Sequence, residues 1–331
     1  MAEIESEGMN LKIERVVHFD WGSKKNKRAM CVANLRDDLW CVDSISIAGN
    51  SATLLQDACR NVPPGSKTLI GFDFAIGLPV GYMKQAKLKT FLEAIDVFGD
   101  EPWQEFFEKA YHPTEVGIHR PFYPRKSTPK GYTSRSILTD RLGITWEHVF
   151  RKCERKTSYR SAASPIFWTL GAKQVGTATM LGWKEVLQPL IRDSSRCIGL
   201  WPFEGDLEEI LQVKDAAVVE TYPNEAYSHL GFPKKWTGKT SHHARKCVSK
   251  IILDWGLRSS VKWSEKVLDQ IESGFGEEND GEDPFDALVG ACSMIAVIIG
   301  QRPVSSSLDE DSKLREGWIF GQNADVFGQE K

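Results

Sequence analysis

The order of apolar segments at the start of the chain limits the possible folds more than any other feature. Apolar runs bounded by turn residues predict four strands, at 14–22, 27–35, 38–46 and 67–79. The polar pair Arg36-Asp37 between the second and third runs indicates a hairpin, and 51–62 has the pattern of a helix with a Ser cap. Hairpins followed by a helix and another strand predict an α/β fold with a mixed β-sheet.

The rest of the chain divides into an insertion and a return to the sheet. Residues 80–195 are rich in aromatic and basic residues and mostly helical in pattern, which predicts a helical insertion. Further strands are predicted at 195–203 and 215–223, and further helices at 241–256, 264–273 and 284–300. We predict one domain over 11–303, with flexible tails at 1–10 and 304–331 in which only 315–321 has the pattern of an ordered segment.

Acidic residues stand where predicted strands end and where the last long helix begins. They are Asp20, Asp73, Glu220, Asp283 and Asp286. A carboxylate within an apolar strand is costly unless its charge is compensated. Each alone also fits a turn or a helix cap, as for Asp283 before Pro284. Several carboxylates from different elements suit Mg²⁺ or Mn²⁺, and two such ions can stabilise the attacking and leaving oxygens of phosphodiester hydrolysis.

Four segments around these acids resemble the domain of unknown function 429 family, a group of predicted nucleases with a ribonuclease H-like fold. The segments are VVHFDWGS at 16–23, LIGFDFAIGLP at 69–79, VVETYPNEAY at 218–227 and DPFDALVGACSMIA at 283–296. The Arg-x-x-Glu segment and the Val-Gly and Gly-Trp elements within 150–187 are also similar to that family. The motifs are short, and the specificity of the resemblance lies in their order and spacing.

The resemblance implies a ribonuclease H-like mixed β-sheet flanked by helices. It also implies that Asp20, Asp73 and Asp286 are metal ligands, with Asp283 or Glu220 as a fourth. More distantly, Asp-x-x-Asp-Ala at 283–287 resembles the last-helix motif of Holliday-junction resolvases. The implied function is hydrolysis of DNA or RNA, with Mg²⁺ or Mn²⁺ as cofactor and Asp20, Asp73, Glu220 and Asp286 as catalytic carboxylates.

Basic residues mixed with aromatic ones suit contact with phosphates and bases. The segments 123–135 and 232–246 have this composition, although each also fits a solvated basic surface. Arg151 could clamp a phosphate, or it could simply pair with Glu154 at helical spacing. The candidate substrate-binding residues are Lys24, Arg125, Lys126, Arg151, Glu154 and Lys235.

Composition argues against several classes of protein. The formal net charge of −3 gives no overall basic character, so nucleic acid would have to bind local basic patches. The N-terminus has no signal-peptide pattern, and the longest apolar run, 287–300, is too short to span a membrane. Seven scattered cysteines without a Cys-x-x-Cys pair favour reduced thiols. We expect a cytoplasmic protein without a membrane partner.

Two other functions compete with the nuclease hypothesis. The sequence Asp20-Trp-Gly-Ser23 resembles the phosphate loop of actin-like ATPases and sugar kinases. A second phosphate loop of that class would have glycines after its aspartate, whereas Asp73 is followed by Phe74-Ala75-Ile76, which argues against this function. The remaining hypothesis is a non-catalytic module on the same fold that binds nucleic acid or protein.

Overall fold

The computed structural model describes residues 13–157, 160–170, 175–233, 236, 238–277, 280–305 and 308–323. Within them the chain forms one seven-stranded mixed sheet in the order β5-β6-β4-β1-β2-β3-β7. The strands are β1 (Ile13–Asp20), β2 (Ala29–Arg36), β3 (Leu39–Ile47), β4 (Lys67–Phe72), β5 (Ile198–Leu200), β6 (Ala216–Glu220) and β7 (Val261–Trp263). The predicted α/β class and mixed sheet are confirmed.

Helices lie on both faces of the sheet and within the insertion. The α-helices among the described residues are α1 (Leu54–Ala58), α2 (Val80–Ala86), α3 (Phe91–Val97), α4 (Arg135–Leu142), α5 (Val175–Gly182), α6 (Gln188–Arg192), α7 (Leu207–Val213), α8 (Pro223–His229), α9 (His242–Arg258), α10 (Glu265–Ser273) and α11 (Glu282–Ile298). No helix in the described part of the chain is both long enough and apolar enough to cross a lipid bilayer.

Strand direction changes in the middle of the sheet. β1, β2 and β3 pair antiparallel, while β4 runs parallel to β1 and β6 runs parallel to β4. The β2–β3 hairpin turns through Asp37 and Asp38, at φ 49° and 60°. Positive φ at both positions suits a two-residue hairpin, and Asp tolerates this conformation better than most residues. The hairpin predicted at this position is therefore present.

Alternation along the central strands separates two apolar cores. Val17 and Ile70 face the insertion, where they join one cluster that includes Phe106 and Trp183. Their neighbours Val16 and Leu69 face the opposite side and pack with α9 and α11. Side chains of successive strand residues point to opposite faces, so each central strand serves both cores. The insertion thus shares the core of the sheet.

Helix α11 crosses β1 at very close range. Gly290 lies against the ring of His18, and a Cβ at position 290 would lie 2.1 Å from the ring atoms Cε1 and Nε2. His18 is fully buried, and its Nε2 lies 2.7 Å from Thr221 Oγ1. Burial lowers the pKa of His18 to about 3. The imidazole is therefore neutral in the folded protein at neutral pH.

This neutral histidine predicts acid sensitivity. The folded pKa of about 3 lies below the ordinary value near 6.5, so between these values the unfolded chain binds more protons and stability falls as pH falls. We expect His18 alone to contribute a slope of up to about 1.4 kcal/mol per pH unit. Urea unfolding from pH 4.5 to 7.5 should give a shallower slope for His18→Gln than for wild type. Equal slopes for the two proteins would contradict a lowered pKa of His18. His243→Gln, which changes an exposed histidine, is the control.

Several boundaries differ from those predicted. The helix predicted at 51–62 is confined to α1, and β4 ends at Phe72, before the predicted limit. Within the predicted tail from residue 304, the segment 315–321 was expected to be ordered, and its Trp318, Ile319 and Phe320 are at most 3% exposed. Burial extends beyond 315–321, since Ser305 and Ser312 are also buried, while 1–12 and 324–331 lie outside the described residues.

Candidate functional site

Two parallel neighbouring strands bring the first two aspartates together. Asp20 is the last residue of β1, and Asp73 follows directly after β4. Phe19 and Phe72 are register partners, so both acids lie at the same edge of the sheet. The backbone N–H of Trp21 donates a hydrogen bond to Asp73 Oδ1 at 2.6 Å, and the carboxyl groups of Asp20 and Asp73 are hydrogen-bonded to each other. The structure therefore brings Asp20 and Asp73 together at this sheet edge.

The first two turns of α11 add Asp283 and Asp286 from the facing helix layer. The helix begins at Glu282, and its N-cap residue is Gly281. Asp283 is therefore not the helix cap, which was the alternative considered from the sequence. The Asp283 side chain is hydrogen-bonded to Asp20 instead. Asp286, 4% exposed, lies one turn further along the helix and accepts a hydrogen bond from the hydroxyl of Tyr227 at 2.5 Å. We call Asp20, Asp73, Asp283 and Asp286 the aspartate cluster.

The charges in the aspartate cluster act on one another. Burial raises the pKa of Asp20 well above its ordinary value, and the negative charges of Asp73 and Asp286 raise it further. Burial likewise raises the pKa of Asp73 and of Asp283. Like charges in a poorly hydrated place disfavour ionisation of all of them at once. The cluster therefore favours any cation that can reach it.

One cation from the chain already lies in the cluster. The ammonium of Lys239 forms an ion pair with Asp286, and one third of the Lys239 side chain is exposed. Burial would lower the pKa of Lys239, but the negative charges of Asp286, Asp20 and Asp73 outweigh burial and raise it. The sequence had placed Lys239 in a basic segment suited to phosphate contact. Its partner in the structure is a carboxylate of the cluster.

Glu220 lies on the opposite side of the sheet from the aspartate cluster. It closes β6 at the register position of Phe72, whose ring belongs to the core beneath the insertion. Since register partners point to the same face, Glu220 points toward the insertion, whereas Asp20, one residue beyond Phe19, points toward α11. Both oxygens of Glu220 accept hydrogen bonds from the Arg151 guanidinium at 2.6 Å. The geometry pairs Glu220 with Arg151 and not with the predicted metal ligands.

Arg151 and Glu154 form part of a buried ion-pair network. Arg151 is 1% exposed, and its Nε donates to Glu154 Oε1 at 3.0 Å. The guanidinium also donates to the carbonyl oxygens of Ile76 and Glu316. These contacts hold the insertion, β6 and the segment after α11 together. The structure therefore gives Arg151 and Glu154 a structural place in the interior, in contrast to the substrate-binding role considered from the sequence.

The other predicted substrate-binding residues occupy different places. Lys24 is exposed in the turn after β1, and the neighbouring Lys27 acts electrostatically on Asp283, so this turn borders the aspartate cluster. Arg125 and Lys126 are exposed on the insertion, and no contact among the described residues connects them to the cluster. Lys235 lies outside the described residues.

Two supporting residues were not identified from the sequence. Tyr227 orients Asp286, and Arg28 stacks on the ring of Trp21 at 3.7 Å while pairing with Glu185. Tyr227 lies within the VVETYPNEAY segment, and this position near an acidic motif could have indicated that it belongs to the site. Arg28 gave no such signal, because its partner Glu185 is far away in the sequence.

The carboxylate oxygens of the aspartate cluster are suitable ligands for a divalent metal, but their arrangement in the structure is not that of a metal site. Carboxylate oxygens are the ligands that Mg²⁺ and Mn²⁺ prefer. Over the described residues, however, no group of three or more His, Cys, Asp or Glu side chains is arranged so that it could hold a metal ion. Lys239 supplies the positive charge at Asp286 in this arrangement. A metal would require these side chains to rearrange.

A cavity of about 590 Å³ lies apart from the aspartate cluster. Its lining includes residues of α1 and α6, the first residue of β5 and parts of the connecting segments, among them Cys59, Arg196 and Asp215. None of the predicted site residues lines this cavity. The convergent charges of the cluster make the sheet edge the better candidate for a functional site.

Comparisons with known proteins add no assignment. No family model, no curated protein and no solved structure matches this chain. The resemblance to the domain of unknown function 429 family therefore stays a prediction, and the candidate site is defined by its geometry and charge.

Proposed function

We propose that this protein is a metal-dependent phosphodiesterase, a nuclease that hydrolyses DNA or RNA on a ribonuclease H-like fold. The main support is the convergence of four aspartates from β1, the end of β4 and α11 at one sheet edge. The mixed sheet with helices on both faces is compatible with that fold. Buried acids with raised pKa values at one place are typical of functional sites.

The proposed cofactor is Mg²⁺ or Mn²⁺, held by aspartates of the cluster. Such an ion, when bound, activates water and stabilises the leaving oxygen of a phosphodiester. Glu220 is left out of the proposed ligand set because both of its oxygens accept hydrogen bonds from Arg151. Asp283 takes its place as the fourth acid, because its side chain contacts Asp20.

The residues around the cluster have separate roles in this proposal. The Trp21 N–H and the Tyr227 hydroxyl fix the carboxylates of Asp73 and Asp286. The exposed Lys24 and Lys25 on the adjacent turn would contact phosphates of the nucleic-acid backbone. Such contacts would position the strand across the cluster without selecting a base sequence.

Asp20→Asn should abolish metal-dependent cleavage and leave the protein folded. Loss of a group that only hydrogen-bonds to a metal ligand costs about 10–100-fold, so loss of a proposed ligand should cost more than about 100-fold. The melting temperature should not fall, because the change removes one buried negative charge from the cluster. Cleavage of labelled single-stranded, duplex, hybrid and branched substrates, with Mg²⁺ and with Mn²⁺, measures the effect.

Asp254→Asn is the matched control, since Asp254 pairs with Lys250 in an exposed i,i+4 ion pair. It should cleave like wild type. Equal cleavage by wild type and Asp20→Asn would remove Asp20 from the proposed site. Binding of nucleic acid by wild type without hydrolysis of any substrate would support a non-catalytic binding module instead.

A further inference from the structure

The side chain of Lys239 is two-thirds buried and extends into the aspartate cluster. Its ammonium contacts Asp286, the most deeply placed acid of α11's first turns, beside Asp20 and Asp73. The cluster contains four carboxylates, and Lys239 forms an ion pair with one of them, Asp286. Leaving such acids without a positive charge would be costly.

The backbone of Lys239 is fixed from the interior. The carbonyl of Lys239 accepts a hydrogen bond from Arg245, a fully buried residue of α9. The same guanidinium donates to the carbonyl oxygens of Gly274 at 3.0 Å and of Gly276 at 2.9 Å, in the loop between α10 and α11. Arg245 therefore ties the loop of Lys239 to the segment that leads into α11. This tie positions the ammonium opposite Asp286.

On the basis of the function proposed above, we propose that Lys239 competes with the divalent cation for Asp286, so that the metal binds only when the ammonium moves away. The ammonium and a metal ion cannot share the same carboxylate oxygens at close range, because their positive charges repel. The exposed third of the Lys239 side chain gives it a way out of the cluster toward solvent. Lys239 then acts as an internal counterion in the metal-free protein and sets the apparent metal affinity.

Titration of Mn²⁺ into the full chain by calorimetry, without nucleic acid, tests this competition. Lys239→Met and Lys239→Gln should each bind Mn²⁺ about 10-fold or more tightly than wild type. The glutamine amide still donates a hydrogen bond to Asp286, so Lys239→Gln should stay folded if Lys239→Met does not. Lys239→Arg should bind much like wild type. Lys250→Met, which removes an exposed lysine, is the control.

Thermal unfolding gives a second readout. In EDTA, Lys239→Met should melt below wild type, because the aspartates lose their counterion, and Mn²⁺ should restore the difference. Equal or weaker Mn²⁺ affinity in both charge-removing variants, or no Mn²⁺ binding in any protein, would overturn the competition. Tighter binding in these variants, with no cleavage by wild type of any nucleic acid, would retain the competition and remove the proposed nuclease.

Discussion

Arg151→Met is expected to lower the free energy of unfolding by about 3–5 kcal/mol, the usual cost of removing one partner from a buried ion pair. The reason is that Glu220, 4% exposed, and Glu154, 2% exposed, would lose the guanidinium that binds both. Methionine fills similar space but carries no charge. The change in unfolding free energy therefore reports mainly the loss of the charge and less the loss of volume. Urea unfolding at pH 7 monitored by circular dichroism gives the value.

Arg36→Met is the matched control for this experiment. Arg36 also forms a two-pronged pair, with Asp43, but its side chain is 55% exposed. Exposed pairs contribute at most about 1 kcal/mol, so this change should have little effect. Adding Glu220→Gln to Arg151→Met should recover part of the loss, because it removes the unpaired buried charge. A loss below about 1 kcal/mol for Arg151→Met would contradict the structural role and reopen a role in substrate binding.

Gly290→Ala is expected to destabilise the protein by about 2 kcal/mol or more. Alanine favours a helix by about 1 kcal/mol over glycine, but overpacking a core typically costs about 1–3 kcal/mol and sometimes more. Here the new Cβ would lie 2.1 Å from atoms of the His18 ring, which is buried and bonded to Thr221. Helix α11 would have to move away from β1, and the loss would appear in urea unfolding.

Gly131→Ala is the control for Gly290→Ala, because a Cβ at position 131 meets nothing within 4 Å. It should change stability by less than about 0.5 kcal/mol. The double variant His18→Ala with Gly290→Ala should lose less than the sum of the two single changes, since the alanine methyl would enter space left by the ring. If the losses in unfolding free energy of the two single variants simply add, the contact with the His18 ring is not the reason for glycine at position 290.

The convergence of Asp20 and Asp73 could be predicted because each closes an apolar strand. Parallel neighbouring strands end at the same sheet edge, so strand-end acids meet there. The place of Glu220 could not be predicted in the same way, since one residue of register sends a side chain to the other face. The sequence of β6 does not reveal its register against β4. The pairing of Phe72 with Glu220 in the structure shows which face of the sheet Glu220 points to.

The contacts that sequence reasoning missed join residues far apart in the chain. Arg151 meets Glu220 across 69 positions, and Lys239 meets Asp286 across 47. Neither partner is recognisable from local spacing. β7 is only three residues long, which is too short for a clear alternation signal. The ordered part of the C-terminal segment was partly visible in 315–321, but its polar surroundings indicated a tail.

The packing of that C-terminal segment also has a consequence for synthesis of the chain. Phe320 lies against Trp201 with ring centroids 5.6 Å apart, and Ile319 bridges to Glu220. The Glu316 carboxylate accepts hydrogen bonds from the backbone N–H groups of Val80 and Lys152. Glu316, Ile319 and Phe320 are therefore translated long after the residues that they contact. A nascent chain in which the sheet has paired would therefore still expose apolar surface near β5 and β6 until this segment emerges.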